Sequence, residues 1–128
     1  MGPRSRDILQ PLTDQDLNNE AFPWLSARQI SVAGASALAL RVSYAGELGW
    51  ELHAAPDDLP TIYKALVESG TSHDLKHFGA FALNSMRLEK GYRAWGMDLS
   101  TERTPLEAGL AYLVKTDGRE FLGRDALV

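Results

Sequence analysis

Apolar residues recur at every second position through Leu38, Leu40, Val42 and Tyr44, and again at Trp50 and Leu52. Such period-two alternation belongs to half-buried strands. Between the two runs stand Gly46 and Gly49, where positive φ and close backbone approach cost least. The stretch Tyr44 to His53 therefore predicts a tight β-hairpin, and the rest of the chain is arranged around it. On the outgoing strand Trp50 and Leu52 point one way, Glu51 and His53 the other. With Trp50 and Leu52 toward a core, Glu51 is either exposed on the opposite face or turned into a cleft.

The other segments read as follows. Ser5 is placed to cap a short helix over Arg6 to Leu12, with Asp7 near its positive end. Thr13 to Asn19 is polar and turn-rich. Ala21 to Leu25 is an apolar patch broken by Pro23, and Ser26 follows as a cap for one helical turn. Ile30 to Ala33 reads as a short strand, with Gly34 and Ser36 at a turn before the strand Ala37 to Tyr44. Pro56-Asp-Asp-Leu-Pro60 opens a helix with an aspartate cap and a proline in the first turn. Ile62, Tyr63, Leu66 and Val67 share one face of it, and Gly70 ends it. A second helix is expected from Leu75 to Lys90, apolar nearly all round and so packed on two sides, with Gly91 as its C-cap. Tyr92 to Arg103 reads as loop, Pro105 to Lys115 as extended, Thr116 to Gly118 as a turn, and Phe121 onward as a further element. Strands, then helices, then a strand give an α+β fold: an antiparallel sheet with two long helices packed on one face.

Composition adds mainly exclusions. The 128 residues make one domain, long enough to bury roughly two thirds of its unfolded surface. A net charge of −4 offers no electrostatic support for a nucleic-acid partner. The absence of cysteine removes disulfides, thiolate catalysis and cysteine-ligated metals. The weakly polar run Val32 to Leu40 is too short to span a bilayer, and the N-terminal residues lack an apolar signal core. Both ends read as cuts through a longer protein, since Ser5 to Leu12 already looks structured and Leu122 to Val128 looks like a helix just beginning.

Several residues invite a chemical reading. An ionised Glu51 accepts two parallel N–H bonds, which suits a guanidinium or the ring N–H and amino group of a pterin or guanine. The plainer alternative is a solvated strand glutamate. Arg87, with Asn84 three residues earlier, either projects into a cleft to hold a carboxylate or carbonyl, or makes an internal ion pair. Tyr44, Tyr92, Trp95 and Tyr112 suit a flat ligand but suit core packing as well. His73 and His77 have the spacing of metal ligands on a helix, yet lack the accompanying glutamate of the HExxH pattern and read as surface residues. Gly46-Glu-Leu-Gly49 matches no phosphate loop. These residues offer a cleft and no reaction.

Three motifs in order carry a resemblance. They are Tyr44-Ala-Gly-Glu-Leu-Gly-Trp-Glu-Leu-His53, Asn84-Ser-Met-Arg-Leu-Glu-Lys-Gly-Tyr-Arg-Ala-Trp-Gly96 and Thr104-Pro-Leu-Glu-Ala-Gly-Leu110. Together they resemble the folate-binding domain of the glycine-cleavage T-protein (aminomethyltransferase) family. The flanks Gly2-Pro-Arg-Ser-Arg-Asp-Ile-Leu and Asn19-Glu-Ala-Phe-Pro-Trp-Leu are more similar to the C-terminal half of sarcosine and dimethylglycine dehydrogenases. The resemblance implies that a flavin (FAD) domain upstream oxidises an N-methylated amine to an iminium, and that tetrahydrofolate captures the one-carbon unit. By matching position, Tyr44 and the strand Glu51-Leu52-His53 hold the pterin, Arg87 lines the same site, and Tyr112 matches a folate-contacting tyrosine. Trp95 stands where the T-protein tends to have tyrosine. The family's catalytic aspartate falls before this chain and its final barrel-like domain after it, so the chain is expected to be a folate site without turnover, catalytic residues none. Alternatives are an aminomethyltransferase acting on a lipoyl carrier, a folate-binding non-oxidase whose usual cysteine motif is missing here, and a structural module. The expected location is the cytoplasm or, in a eukaryote, the mitochondrial matrix.

Overall fold

The computed structural model describes residues 1–127. They divide into two compact units, Met1 to Lys90 and Gly91 onward. The first is α+β. Its three strands, β1 (Ala27–Val32), β2 (Ala35–Leu40) and β3 (Glu51–Ala54), form an antiparallel sheet in the order β1-β2-β3. Register sets Gln29 opposite Leu38 and Leu38 opposite His53, and likewise Ala27, Leu40 and Glu51 across the sheet. The helices are α1 (Ser5–Leu9), α2 (Leu59–Gly70) and α3 (Ala80–Glu89).

One face of the sheet builds the core. Ile30, Val32, Ala35, Ala37 and Ala39 pack with Leu9, Leu17, Phe22 and Ile62, and Trp50, Leu52 and Leu66 join at the margin. On β2 the alanines point inward and the leucines do not, so Leu38 is 41% exposed. The small inward residues leave room for Phe22 and Leu17, both fully buried. β1 and β2 are joined through Ala33 and Gly34, both at positive φ (52° and 83°), the backbone of a type I′ hairpin turn.

The predicted tight hairpin at Gly46 and Gly49 is instead a longer connection, residues 41–50, between β2 and β3. Pairing between β2 and β3 ends at Leu40 and Glu51, while the Arg41 N–H still donates to the Ser26 carbonyl at 2.9 Å and the Arg41 side chain points inward. Its guanidinium donates to the Phe22 carbonyl and, at 2.6 Å, to Asn19 Oδ1. The Val42 N–H then closes onto the Leu40 carbonyl at 2.9 Å, which ends the extended run. The glycines remain necessary, for packing reasons. A Cβ on Gly46 would lie 2.3 Å from Lys90 Cγ, and one on Gly49 would lie 2.9 Å from Met1 Cα.

Other boundaries also shift. Ser5 sits inside α1, and its hydroxyl donates to the carbonyls of Gly2 and Leu48 rather than capping. The residues after α1 tighten into a 3-10 turn, Gln10–Leu12, around Pro11. Ser26 precedes a strand, not a helical turn, and its hydroxyl donates to the Pro23 carbonyl. Asp58 occupies the N-cap position of α2 without a side-chain capping bond, while Pro60 lies in the first turn as expected. α3 begins at Ala80 rather than Leu75, because Asp74 is left-handed (φ 56°) and Gly79 is extended. It is not packed on two sides: Phe81 is 95% exposed, and the buried residue of this helix is Arg87.

In the second unit the segment expected to be extended, Pro105 to Lys115, is turn and 3-10 helix (Ala111–Leu113). Thr104 to Leu110 is a single helical turn closed at both ends. The Thr104 N–H donates to Glu107 Oε2 (2.8 Å) and the Glu107 N–H to Thr104 Oγ1 (3.2 Å), a capping box. At the other end Leu110 N–H reaches the Pro105 carbonyl and Gly109 N–H the Leu106 carbonyl, with Gly109 at φ 71°. Arg93 braces this end by donating to the carbonyls of Ala108 (2.8 Å) and Gly109 (3.1 Å).

Candidate functional site

β3 carries the residues singled out from the sequence. Alternation along it gives Glu51 and His53 to the open face of the sheet and Leu52 to the core face. Glu51 is thus exposed on the opposite face rather than turned into an enclosed cleft. Its Oε2 lies 3.6 Å from His53 Nε2, with the two side chains 49% and 58% exposed. Their cross-strand neighbours on that face are Leu40 and Leu38. The result is a flat, half-apolar surface with a carboxylate and an imidazole along one edge. A shallow hollow of about 410 Å³ adjoins it, with Gln29, Ser36, Leu38 and His53 in its wall. The surface presents apolar contact on its face and the two acceptor oxygens of a carboxylate at its rim.

The remaining candidates are placed as follows. Tyr44 lies in the connection 41–50 and is 38% exposed. Leu52 faces the core, away from Glu51 and His53. Arg87 is 2% exposed, and its Nε donates to Asn84 Oδ1 at 2.8 Å, the pairing that their spacing on α3 allows. Tyr112 belongs to the second unit, in its 3-10 helix, and is 68% exposed. The structure thus brings Glu51 and His53 together and sets Leu52 on the other side of the sheet.

Sequence reading missed a concavity of about 580 Å³ on the core side of the first unit. Its lining includes Trp50, Leu52, Tyr63, His73, His77 and Phe78. His77 stacks on Tyr63 with ring centroids 5.8 Å apart, and Arg4 Nη2 lies 3.0 Å from His73 Nδ1. The sequence places His73 in a polar link and His77 on a helix from Leu75, both as surface residues; the helix begins only at Ala80, and both line this wall. A second missed feature is Arg41, buried beneath the connection that leads to β3. Burial holds its guanidinium below the usual arginine range, with nearby Arg6 adding to the effect and Glu20 opposing it. Arg6 and Arg41 both lie over the Trp50 ring, at 5.9 and 5.8 Å from its centroid. Among the described residues no group of three or more His, Cys, Asp or Glu is arranged to hold a metal ion. No helix among them is long and apolar enough to cross a membrane.

Comparison with known proteins adds an independent line. Residues 1–118 match the family described as the GCVT N-terminal domain. Human mitochondrial sarcosine dehydrogenase is 46% identical over 127 residues, covering 98% of this chain and 14% of that protein. Human mitochondrial dimethylglycine dehydrogenase is 41% identical over 127 residues, again 98% of this chain and 15% of that protein. An aminomethyltransferase of Caldanaerobacter subterraneus subsp. tengcongensis is 37% identical over 127 residues, 99% of this chain and 34% of the enzyme. The chain therefore spans a small part of the length of these relatives.

Proposed function

From the premise that this chain belongs to the GCVT N-terminal domain family, we propose that it is the tetrahydrofolate-binding portion of a protein like the sarcosine and dimethylglycine dehydrogenases. It holds the acceptor of a one-carbon unit released from an oxidised N-methylated amine. The flavin (FAD) that supplies the oxidation belongs to another part of such a protein. Tetrahydrofolate, when bound, supplies the nitrogen nucleophiles that take up the carbon.

The observation that carries this reading is the accessible Glu51 carboxylate on the open sheet face, flanked by Leu38, Leu40 and His53. In this reading Glu51 accepts the pterin ring N–H and amino group, and the leucines contact the ring face. His53 sits at the same rim. Tyr44 supplies a phenol from the connection 41–50, Leu52 fixes the strand from the core side, and Arg87 is braced on α3 by Asn84. Identity of 37% to an aminomethyltransferase supports a second reading, in which the same site serves aminomethyl transfer. The chain itself contributes no catalytic group in either.

The test is titration of the chain with 5-formyltetrahydrofolate, followed by tryptophan fluorescence. The parent should bind saturably, and Glu51→Gln should weaken binding by about tenfold or more, the loss of a charge-assisted acceptor pair worth ~1.5–3 kcal/mol. Equal binding by parent and variant, with both folded by circular dichroism, would show the pterin assignment to be wrong.

A further inference from the structure

The 580 Å³ cavity has the form of a missing layer in the sheet. Among the described residues β3 pairs on one side only, with β2, and its other edge is free. The core face is unfinished at that edge. Val32, Ala37 and Ala39 are fully buried, whereas Leu52 and Ala54 on β3 are only half-buried. Trp50 and Leu52 form one wall of the cavity, α2 contributes Tyr63, Leu66 and Val67, and Leu75 and Phe78 lie in the opposing segment. An unpaired edge beside an apolar slot is the arrangement in which an added strand gains both backbone hydrogen bonds and side-chain burial.

The backbone at the mouth of the slot gives the direction of that strand. The Gly2 N–H donates to the Leu48 carbonyl at 2.7 Å, and Gly49 lies so close under Met1 that a Cβ would meet Met1 Cα at 2.9 Å. Gly2 is thus matched with Leu48 and Met1 with Gly49, two segments running in opposite senses. The next positions along the second segment are Trp50 and then β3. Side-chain charges at the rim are paired: Arg4 with Asp7 at 2.7 Å, Lys76 with Asp74 at 2.5 Å, and Arg4 with the His73 ring. The slot therefore offers a backbone edge and apolar walls, a better match to a peptide than to a small charged molecule.

We propose that this cavity is the seat of a fourth strand. It is an extended segment, apolar at alternate positions, that runs antiparallel to β3 along its free edge and continues backward the line of Gly2 and Met1. By this register a residue placed directly before Met1 faces Trp50 and points into the slot, and one two positions earlier faces Leu52.

The experiment adds one of three extensions directly before Met1 of the 128-residue chain: Val-Thr-Val-Thr-Val, Asp-Thr-Asp-Thr-Asp or Gly-Ser-Gly-Ser-Gly. Amide hydrogen exchange is read at β3, with anilinonaphthalene sulfonate fluorescence as the report on exposed apolar surface. The Val-Thr extension should slow exchange of the β3 amides that face away from β2 by about tenfold or more and suppress the dye signal. The other two should do neither. Equal exchange for all three extensions would overturn the proposal. So would protection that appears only in a concentration-dependent dimer, which would make a second copy the occupant, or dye binding that persists beside the Val-Thr strand, which would make the cavity a small-molecule site.

Discussion

Gly46→Ala isolates the contact that holds the connection 41–50 in place. Two costs add in the folded state. Gly46 has φ 71°, and an alanine there pays about 1–2 kcal/mol for the left-handed backbone. Its Cβ would also lie 2.3 Å from Lys90 Cγ and 2.9 Å from Lys90 Cβ. The Cγ can swing away, but the Cβ is fixed to the backbone just beyond α3, so the connection or the helix end must move. That movement disturbs the Lys90–Glu47 ion pair, 3.3 Å long and half-exposed, worth about 0.2–1 kcal/mol. Against these stands about 0.4–1 kcal/mol from the stiffer unfolded chain. The net expectation is a loss of about 1–2 kcal/mol in urea unfolding followed by tryptophan fluorescence. In a Lys90→Ala background the contacts with Cγ and Cδ and the ion pair disappear while the contact with Cβ and the backbone cost remain, so the double-mutant cycle should show a coupling of about 0.5–1 kcal/mol. A Gly46→Ala variant as stable as the parent, or a coupling near zero, would refute the packing of Lys90 over this glycine.

Two further predictions follow from local geometry. Ala33 is exposed at φ 52° in the β1–β2 turn, where asparagine is better tolerated, so Ala33→Asn should raise stability by about 0.5–1 kcal/mol in urea unfolding, and a loss would contradict the turn assignment. Hydrogen bonds from Thr104, backbone first, hold the Glu107 carboxyl below the ordinary carboxylate range, aided by Arg103. A depressed carboxyl contributes stability that is complete above the unfolded value and is lost as pH falls through the folded one. Carbon-detected NMR should therefore show Glu107 titrating below the other exposed glutamates, with the Thr104 amide shift following it. Titration alongside them would remove the capping box.

How far the chain could be read depended on how local each determinant is. The alternation Trp50 to His53 needs only neighbouring residues, and the structure keeps it: Leu52 in, Glu51 and His53 out. α2 was legible because Ile62 and Leu66 repeat at helical spacing behind Pro60. The tight hairpin was not, because it fails at Arg41, whose partners Asn19 and the Phe22 carbonyl are distant in sequence. Likewise the start of α3 depends on Asp74 taking a left-handed backbone, a choice that apolar periodicity does not record. Leu38 and Leu40 marked a strand correctly but not its inner face, since alanines fill the core side where Phe22 and Leu17 sit. The reciprocal bonds of Thr104 and Glu107 were visible in principle, as a Thr-x-x-Glu spacing, within a segment read as extended.

The central claim is that the open face of the sheet at β3 is where a pterin binds, and chemical-shift mapping on the isotope-labelled chain tests it most directly. On addition of 5-formyltetrahydrofolate the amides of Leu38, Leu40, Glu51 and His53 should move together and saturate with a single dissociation constant. Shifts confined to the core-side cavity around Tyr63 and Phe78, with Glu51 and His53 unmoved at saturation, would contradict it.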